Sequence, residues 1–169
     1  MFKLTRSNLK PNVLQKYRTD RAYGCYTRSA LEMEIWPAVM ERVRYVVFCD
    51  IDDMHQANKR YGYAGVDKKV KHAITGRESD IVVARWYSGD ELVFIVLDGP
   101  RMGDPVQFAE RIQARFRQVG LSATFGVVKV RSHEVRHPGK SVRRAFSLVQ
   151  NSKKYGSRAC VVLEKNLEA

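Results

Sequence analysis

Tyr45 to Asp52, YVVFCDID, is the stretch that most limits what this chain can fold into. A run that is apolar on both alternating sets of positions ends in two carboxylates one residue apart. Such a run reads as a strand buried on both faces, and therefore central in its sheet. Residues i and i+2 of a strand share a face, so Asp50 and Asp52 point the same way. A second stretch, YSGDEL from Tyr87 to Leu92, sets Asp90 and Glu91 after Ser88-Gly89, between the runs VVAR and LVFIVL. That is the pattern of a hairpin with acids at its turn. If the hairpin pairs beside the Tyr45 strand, Asp50 and Asp90 converge. Carboxylates gathered at the end of an apolar sheet repel each other and lose solvation unless a cation lies between them. Mg2+ is the usual hard partner of such oxygens and completes its shell with substrate phosphates. The plainer reading is a pair of acidic strand ends facing water. The β1 acid and the hairpin acids on opposite sides of the molecule, or a basic group already neutralising them, would end the enzymatic reading.

The rest of the chain frames that pair. Residues 1–18 form a basic lead-in, and residues 19–169 read as one domain. Leu31, Ile35, Val39 and Val43 recur at helical spacing with Pro37 inside the run, which predicts a kink or a break. A helix over 53–61 is interrupted at Gly62 and Gly65. A second, over 66–74, carries Lys68, Lys69 and Lys71 outward. Strands follow at 80–87 and 91–97. Phe108, Ala109, Ile112, Phe116 and Val119 mark an amphipathic helix over 105–119, closed by Gly120. Residues 122–130 alternate as a strand, 131–140 make a polar loop, 141–154 a helix and 159–163 a last strand. This order predicts an α+β fold, with a mostly antiparallel sheet of about five strands flanked by helices.

At 169 residues the chain suits a single core. No apolar run approaches the ~18 residues that span a bilayer. The start of the chain has no apolar segment of the signal-peptide kind, so no membrane association and a cytoplasmic location are expected. Cys25, Cys49 and Cys160 lie far apart without metal-type spacing and read as reduced thiols. The net charge of +12 attracts anions. Lys129, Arg131, Arg136, Lys140, Arg143, Arg144, Lys153, Lys154 and Arg158 face the single acid Glu134 in that stretch. They read either as a phosphate- or nucleic-acid-binding face or as a solvated basic face.

Asp50-Ile-Asp52, Asn58, Tyr61-Gly62, Asp67 and Ser88-Gly-Asp-Glu-Leu92 together resemble the GGDEF domain of diguanylate cyclases. Asp20, Gly24, Tyr26 and Arg28 fall where that family has its D-x-L-T-G-L-Y-N-R-R lead. Ser122-Ala-Thr-Phe-Gly126 and Lys153-Lys-Tyr-Gly156 resemble its later T-x-S-x-G and A-K-x-x-G segments. The resemblance runs from about Asp20 to Val162. It implies a palm-like fold and a Mg2+- or Mn2+-dependent condensation of two GTP into cyclic di-GMP across a homodimer. It implies that Asp50, Asp90 and the Ile51 carbonyl hold metal, and that Glu91 assists at the metal or at the attacking 3′-hydroxyl. It further implies that Asn58 and Asp67 bind the guanine edge, that Lys153 holds phosphates, and that Ser88-Gly89 lets the backbone approach them. Guanine presents N1–H and N2–H side by side to a carboxylate, so Asp67 argues for GTP over ATP. Read locally instead, Asn58 is a helix-end cap and Asp67 an N-cap.

The sequence also departs from the pattern. His55, counted among the substrate-binding positions, stands where the family has Lys, and Tyr63 replaces a His. Trp86 takes the place of an Arg, with Arg85 displaced by one. Phe146 takes the place of an Asp, Gln150 that of a Tyr, and Ser157 that of a basic residue. Arg77-Glu-Ser-Asp80 has the R-x-x-D form of the family's inhibitory product site but lies two residues too far from the turn. Three functions stay open: a stand-alone cyclase, a degenerate domain that binds GTP or cyclic di-GMP and regulates a partner protein, and a palm-type nucleotidyltransferase or nucleic-acid binder.

Overall fold

A computed structural model of the chain describes residues 18–76, 80–87, 89–99 and 103–165. The lead-in before residue 18, Arg77 and Ser88 lie outside the described residues. The first helical segment, α1, is composite. Arg28–Ala30 is α-helical, Leu31–Ile35 takes π geometry, Trp36–Val39 returns to α, and Met40–Arg42 is a 3-10 turn. The break expected at Pro37 is this change of geometry. A proline inside a continuous helix would clash with the preceding turn, but restarting the helix puts Pro37 in a first turn, where its missing N–H costs nothing.

β1, Val43–Ile51, follows, then α2, Met54–Tyr61, and α3, Tyr63–Ile74. Gly62 (φ 72°) separates the two helices, while Gly65 lies inside α3 and does not interrupt it. β2, Ile81–Arg85, and β3, Glu91–Leu97, make the hairpin. α4, Pro105–Gln118, β4, Ala123–Lys129, α5, Pro138–Lys154, and β5, Val161–Leu163, complete the order. α5 starts earlier than the composition of 131–140 suggested, because Pro138 fits a helical first turn.

The sheet runs β2-β3-β1-β4-β5. β1 is central and antiparallel to both β3 and β4, β2 is antiparallel to β3, and β5 is parallel to β4. A parallel neighbour needs a crossover, which α5 supplies. One face packs Val47, Cys49, Ile51, Phe94 and Phe125 against α3 and α4. The other packs Val46, Phe48, Val93 and Ile95 against α1 and α5. The fold is thus α+β with a palm-like, mostly antiparallel open sheet between helical layers. Lys69 does not point outward as its spacing suggested. Its Nζ donates to the Val119 carbonyl at 2.7 Å and lies 4.2 Å from the Tyr61 ring centroid, because a lysine stem lies on apolar surface while its head finds a helix-end carbonyl. Cys25, Cys49 and Cys160 are free thiols. Among the described residues no helix is long and apolar enough to cross a membrane.

Candidate functional site

Alternation along β1 decides where the acids emerge. Val46 and Phe48 face α5, so Asp50 continues that series, and Asp52 follows it just past the strand. Asp53, in a left-handed conformation (φ 50°), then turns the chain into α2. Lys153 reaches in from the end of α5. Its Nζ lies 2.7 Å from Asp50 Oδ1, 2.8 Å from Asp52 Oδ1 and 3.4 Å from the Asp50 carbonyl. Gln150, one turn earlier on α5, donates from Nε2 to Asp50 Oδ2 at 3.2 Å. The cation between the paired carboxylates is therefore a lysine of the same chain.

The two aspartates are not equivalent. Asp52 also accepts from Ser122 Oγ at 2.7 Å, Thr124 Oγ1 at 2.9 Å and the Ala159 amide at 3.2 Å. Burial pushes its carboxyl up, but Lys153, Ser122 and Thr124 outweigh burial and hold it below the usual range. Burial also pushes Asp50 up. Lys153 opposes this, the Asp90 and Asp52 charges add to it, and the Asp50 carboxyl stays above the usual range. Burial depresses the Lys153 ammonium, and the two carboxylates more than reverse that. The Asp50 side chain is 12% exposed and that of Asp52 1%, so Asp50 is the reachable acid.

The hairpin brings the remaining acids alongside. Asp50 is the ladder partner of Glu91, which places both on one face. The Ile51 amide donates to the Asp90 carbonyl at 2.9 Å. Glu91 Oε2 accepts from the Tyr87 amide at 3.2 Å. On the opposite face of the sheet, the Tyr23 hydroxyl donates to the Gly89 carbonyl. Burial pushes that phenol up to about 12; Arg85 opposes this, while Asp67, Asp20 and Asp90 add to it. The charges of Asp67 and Asp90 thus both act on this phenol. A Cβ on Gly89 would come within 3.0 Å of Arg85 Nη2, and Arg85 is held by Asp20 at 2.9 Å. The displaced arginine thus packs under the turn.

Asp67 lies inside α3, past its first turn. It is not the N-cap that local reading allowed, since the helix begins at Tyr63. Asn58 lies in α2, where its carbonyl accepts from the Gly62 amide at 2.9 Å. His55 is exposed in the first turn of α2. Of the residues picked from sequence, Asp50, Ile51, Asp90, Glu91 and Lys153 come together at the ends of β1 and the hairpin. Asp67 reaches the Tyr23 side, and Ser88 lies outside the described residues. Sequence reasoning missed Tyr23 and the clasp of Ser122 and Thr124 on Asp52; the alternating polar residues opening the SATFG segment were the available signal for the clasp. Asp80 lies 3.5 Å from Arg42 Nη2, while its expected companion Arg77 is outside the described residues. Among the described residues no group of three or more His, Cys, Asp or Glu is gathered as a metal cluster.

Part of the basic stretch is paired with carboxylates. Arg144 Nη2 lies 2.6 Å from Glu134 Oε2, and the same side chain meets Glu164. Arg131 pairs with Glu164 at 3.0 Å and Arg158 with Asp53 at 2.6 Å.

No family model matches the sequence, and no curated protein matches it. Solved structures do. The chain is similar to diguanylate cyclase SiaD of Pseudomonas aeruginosa, solved with its activator SiaC, with TM-score 0.70 and 23% identity over 90% of this chain and 65% of that one. It is similar to the coiled coil and GGDEF domain of DgcB from Caulobacter crescentus, solved with c-di-GMP, with TM-score 0.70 and 18% identity over 90% and 88% of the two chains. The fold is that of GGDEF domains. The GGDEF domain of PA1120 from Pseudomonas aeruginosa superposes likewise, with TM-score 0.67 and 22% identity over 85% of this chain and 98% of that one. This chain spans less than two thirds of SiaD. In this GGDEF fold Glu91 of the hairpin and Asp50 of β1 are partners across one ladder, on a pair of strands packed on both faces.

Proposed function

We propose that the chain acts on GTP in the manner of a diguanylate cyclase, condensing two GTP into cyclic di-GMP across a homodimer with Mg2+ or Mn2+. The observation that carries this is the β1–β3 register, which seats Asp50 opposite Glu91 and ties Ile51 to Asp90. Phosphoryl transfer asks a protein for positioning and charge neutralisation more than for covalent chemistry.

The donor set is all oxygen, which suits a hard divalent ion. Asp50, Asp90 and the Ile51 carbonyl would hold the ion. When bound it would offset the triphosphate charge and stabilise attacking and leaving oxygens. Lys153 would move from Asp50 to the phosphates, as its long stem permits. Glu91 would accept the proton of the attacking 3′-hydroxyl, and Asp67 with Asn58 would take the guanine edge. His55, exposed on α2, would add a contact to the phosphates. SiaD was solved with an activator protein and DgcB with c-di-GMP; a partner protein and the same dinucleotide are proposed here on that likeness. A cytoplasmic location fits GTP as substrate.

Incubating the purified chain with GTP and Mg2+, over a range of protein concentrations, tests this. A guanine dinucleotide that rises steeply with protein concentration is expected, and its absence throughout would overturn the reading. One observation favours a second reading: Lys153 already neutralises Asp50, as a degenerate domain that binds guanine nucleotide without turnover would require. Calorimetric GTP binding in a protein that makes no product would establish that reading instead.

A further inference from the structure

On the face of the sheet covered by α1 and α5, a cavity of about 500 Å3 opens beside the hairpin. Its walls include Arg28, Trp86, Tyr87, Glu91, Arg143 and Phe146. Its size is that of small-molecule sites rather than of packing gaps. Asp67 and Tyr23 belong to the opposite face, so this is not the guanine pocket proposed above, although it shares Glu91 with the proposed catalytic acids.

The lining combines two chemistries. Trp86 and Tyr87 meet edge to face, with ring centroids 5.8 Å apart, and Phe146 stands on α5 across from them. The Arg28 guanidinium lies 3.6 Å from the Tyr87 centroid and 4.5 Å from the Trp86 centroid. Glu32 Oε1 fixes it there, 3.0 Å from both Nε and Nη2. An arginine stacked and tethered before any ligand arrives loses little freedom on binding. Arg143 is exposed on α5, and Glu91 is the acid of the lining. Trp86 and Phe146 are two positions where the sequence departs from the GGDEF pattern, and both departures put an aromatic ring into this one cavity.

A small inorganic anion has no use for aromatic walls, and a neutral hydrocarbon has none for two guanidiniums. A flat ring system bearing an anionic group and edge N–H donors satisfies the whole lining. We propose that this cavity binds a purine mononucleotide. The base lies between Trp86 and Phe146, the phosphate meets Arg143, and the base-edge N–H groups donate to Glu91.

Trp36 is buried at 1% exposure, so Trp86 is the responsive tryptophan of the two in the chain. The full chain is titrated with GMP, and separately with inorganic phosphate, without divalent metal. Tryptophan emission and calorimetry are both followed. GMP is expected to quench emission saturably, and Asp67→Ala to leave that binding intact. Arg143→Ala should weaken it at least tenfold; Arg143 is exposed, so an unchanged melting temperature should accompany the loss. Trp86→Phe should remove the optical signal while calorimetry still reads binding. Binding lost in Asp67→Ala but kept in Arg143→Ala would place the nucleotide on the other face and overturn the proposal. So would no binding at millimolar GMP, or inorganic phosphate reproducing the whole effect. GTP turnover and this binding can each fail while the other stands.

Discussion

Asp50 and Asp52 carry the same charge and touch the same ammonium, yet their surroundings divide them. Asp52 is clasped by Ser122, Thr124 and the Ala159 amide, so it fastens the exit of β1 to β4 and to the turn before β5. Asp50 keeps a carboxyl above the usual range even beside Lys153, because burial outweighs the ammonium. Two outcomes follow at this scale. Asp90→Ala is expected to abolish turnover of GTP while shifting the melting temperature little, because the tie to Ile51 runs through the Asp90 carbonyl; aggregation of the variant would contradict that placement. Lys153→Met keeps the apolar stem and removes the competing charge. The free protein should then bind Mn2+ about tenfold more tightly, or ~1.4 kcal/mol, read from the loss of the free-Mn2+ resonance signal. Equal affinity in the two proteins would mean that Lys153 does not compete with metal.

Between elements, the closest approach that sets the site is that of β4 to α5. A Cβ on Gly126 would fall on the Ala145 carbonyl oxygen and lie 3.1 Å from Val149 Cγ2. Only glycine lets α5 lie this close to the sheet, and that closeness carries Lys153 and Gln150 down to Asp50. A backbone carbonyl cannot rotate away as a side chain can, so Gly126→Ala must lift the helix. We expect a loss of about 2–3 kcal/mol, visible as a melting temperature lower by roughly 2–4 °C for each kcal/mol. The same variant should weaken the Lys153–Asp50 pair. A melting temperature equal to that of the parent protein would show that the helix has slack.

Across the molecule, buried ion pairs tie separate elements together. Glu134 is 3% exposed and joins the turn after β4 to α5 through Arg144, Ser141 and the Arg131 amide. Burial pushes its carboxyl up, but hydrogen bonds from Arg144, Arg131 and Ser141 prevail and hold it below the usual range. A depressed carboxylate contributes stability that is present above its unfolded pKa of about 4.3 and is lost as pH falls through the folded value. Glu134→Gln should therefore cost about 3 kcal/mol at neutral pH, and the difference from the parent should close as the pH drops below that window. Urea unfolding at several pH values measures this; a difference independent of pH would remove Glu134 from the acid response. Arg131, Arg144, Lys153 and Arg158 have carboxylate partners, which interrupts the run of basic residues along 129–158 and leaves the net charge of +12 unchanged.

The order of elements, the central place of β1 and the meeting of the β1 acids with the SGDEL turn were all legible in the linear chain. Each follows from periodicity and turn chemistry, properties of residues within a few positions of one another. The extent of α3, the inward turn of Lys69 and the composite α1 were not, because packing against neighbouring helices overrode local signals there. The resemblance put Lys153 on phosphates; the structure puts it on Asp50, 103 residues away. The Tyr23–Gly89 contact spans 66 residues and left no mark in local pattern. Carboxylate spacing on a strand is set by the backbone alone, so sequence determined that acids would gather. Which cation answers them depends on how close a distant helix can lie, and only the tertiary structure, through Gly126, decided that.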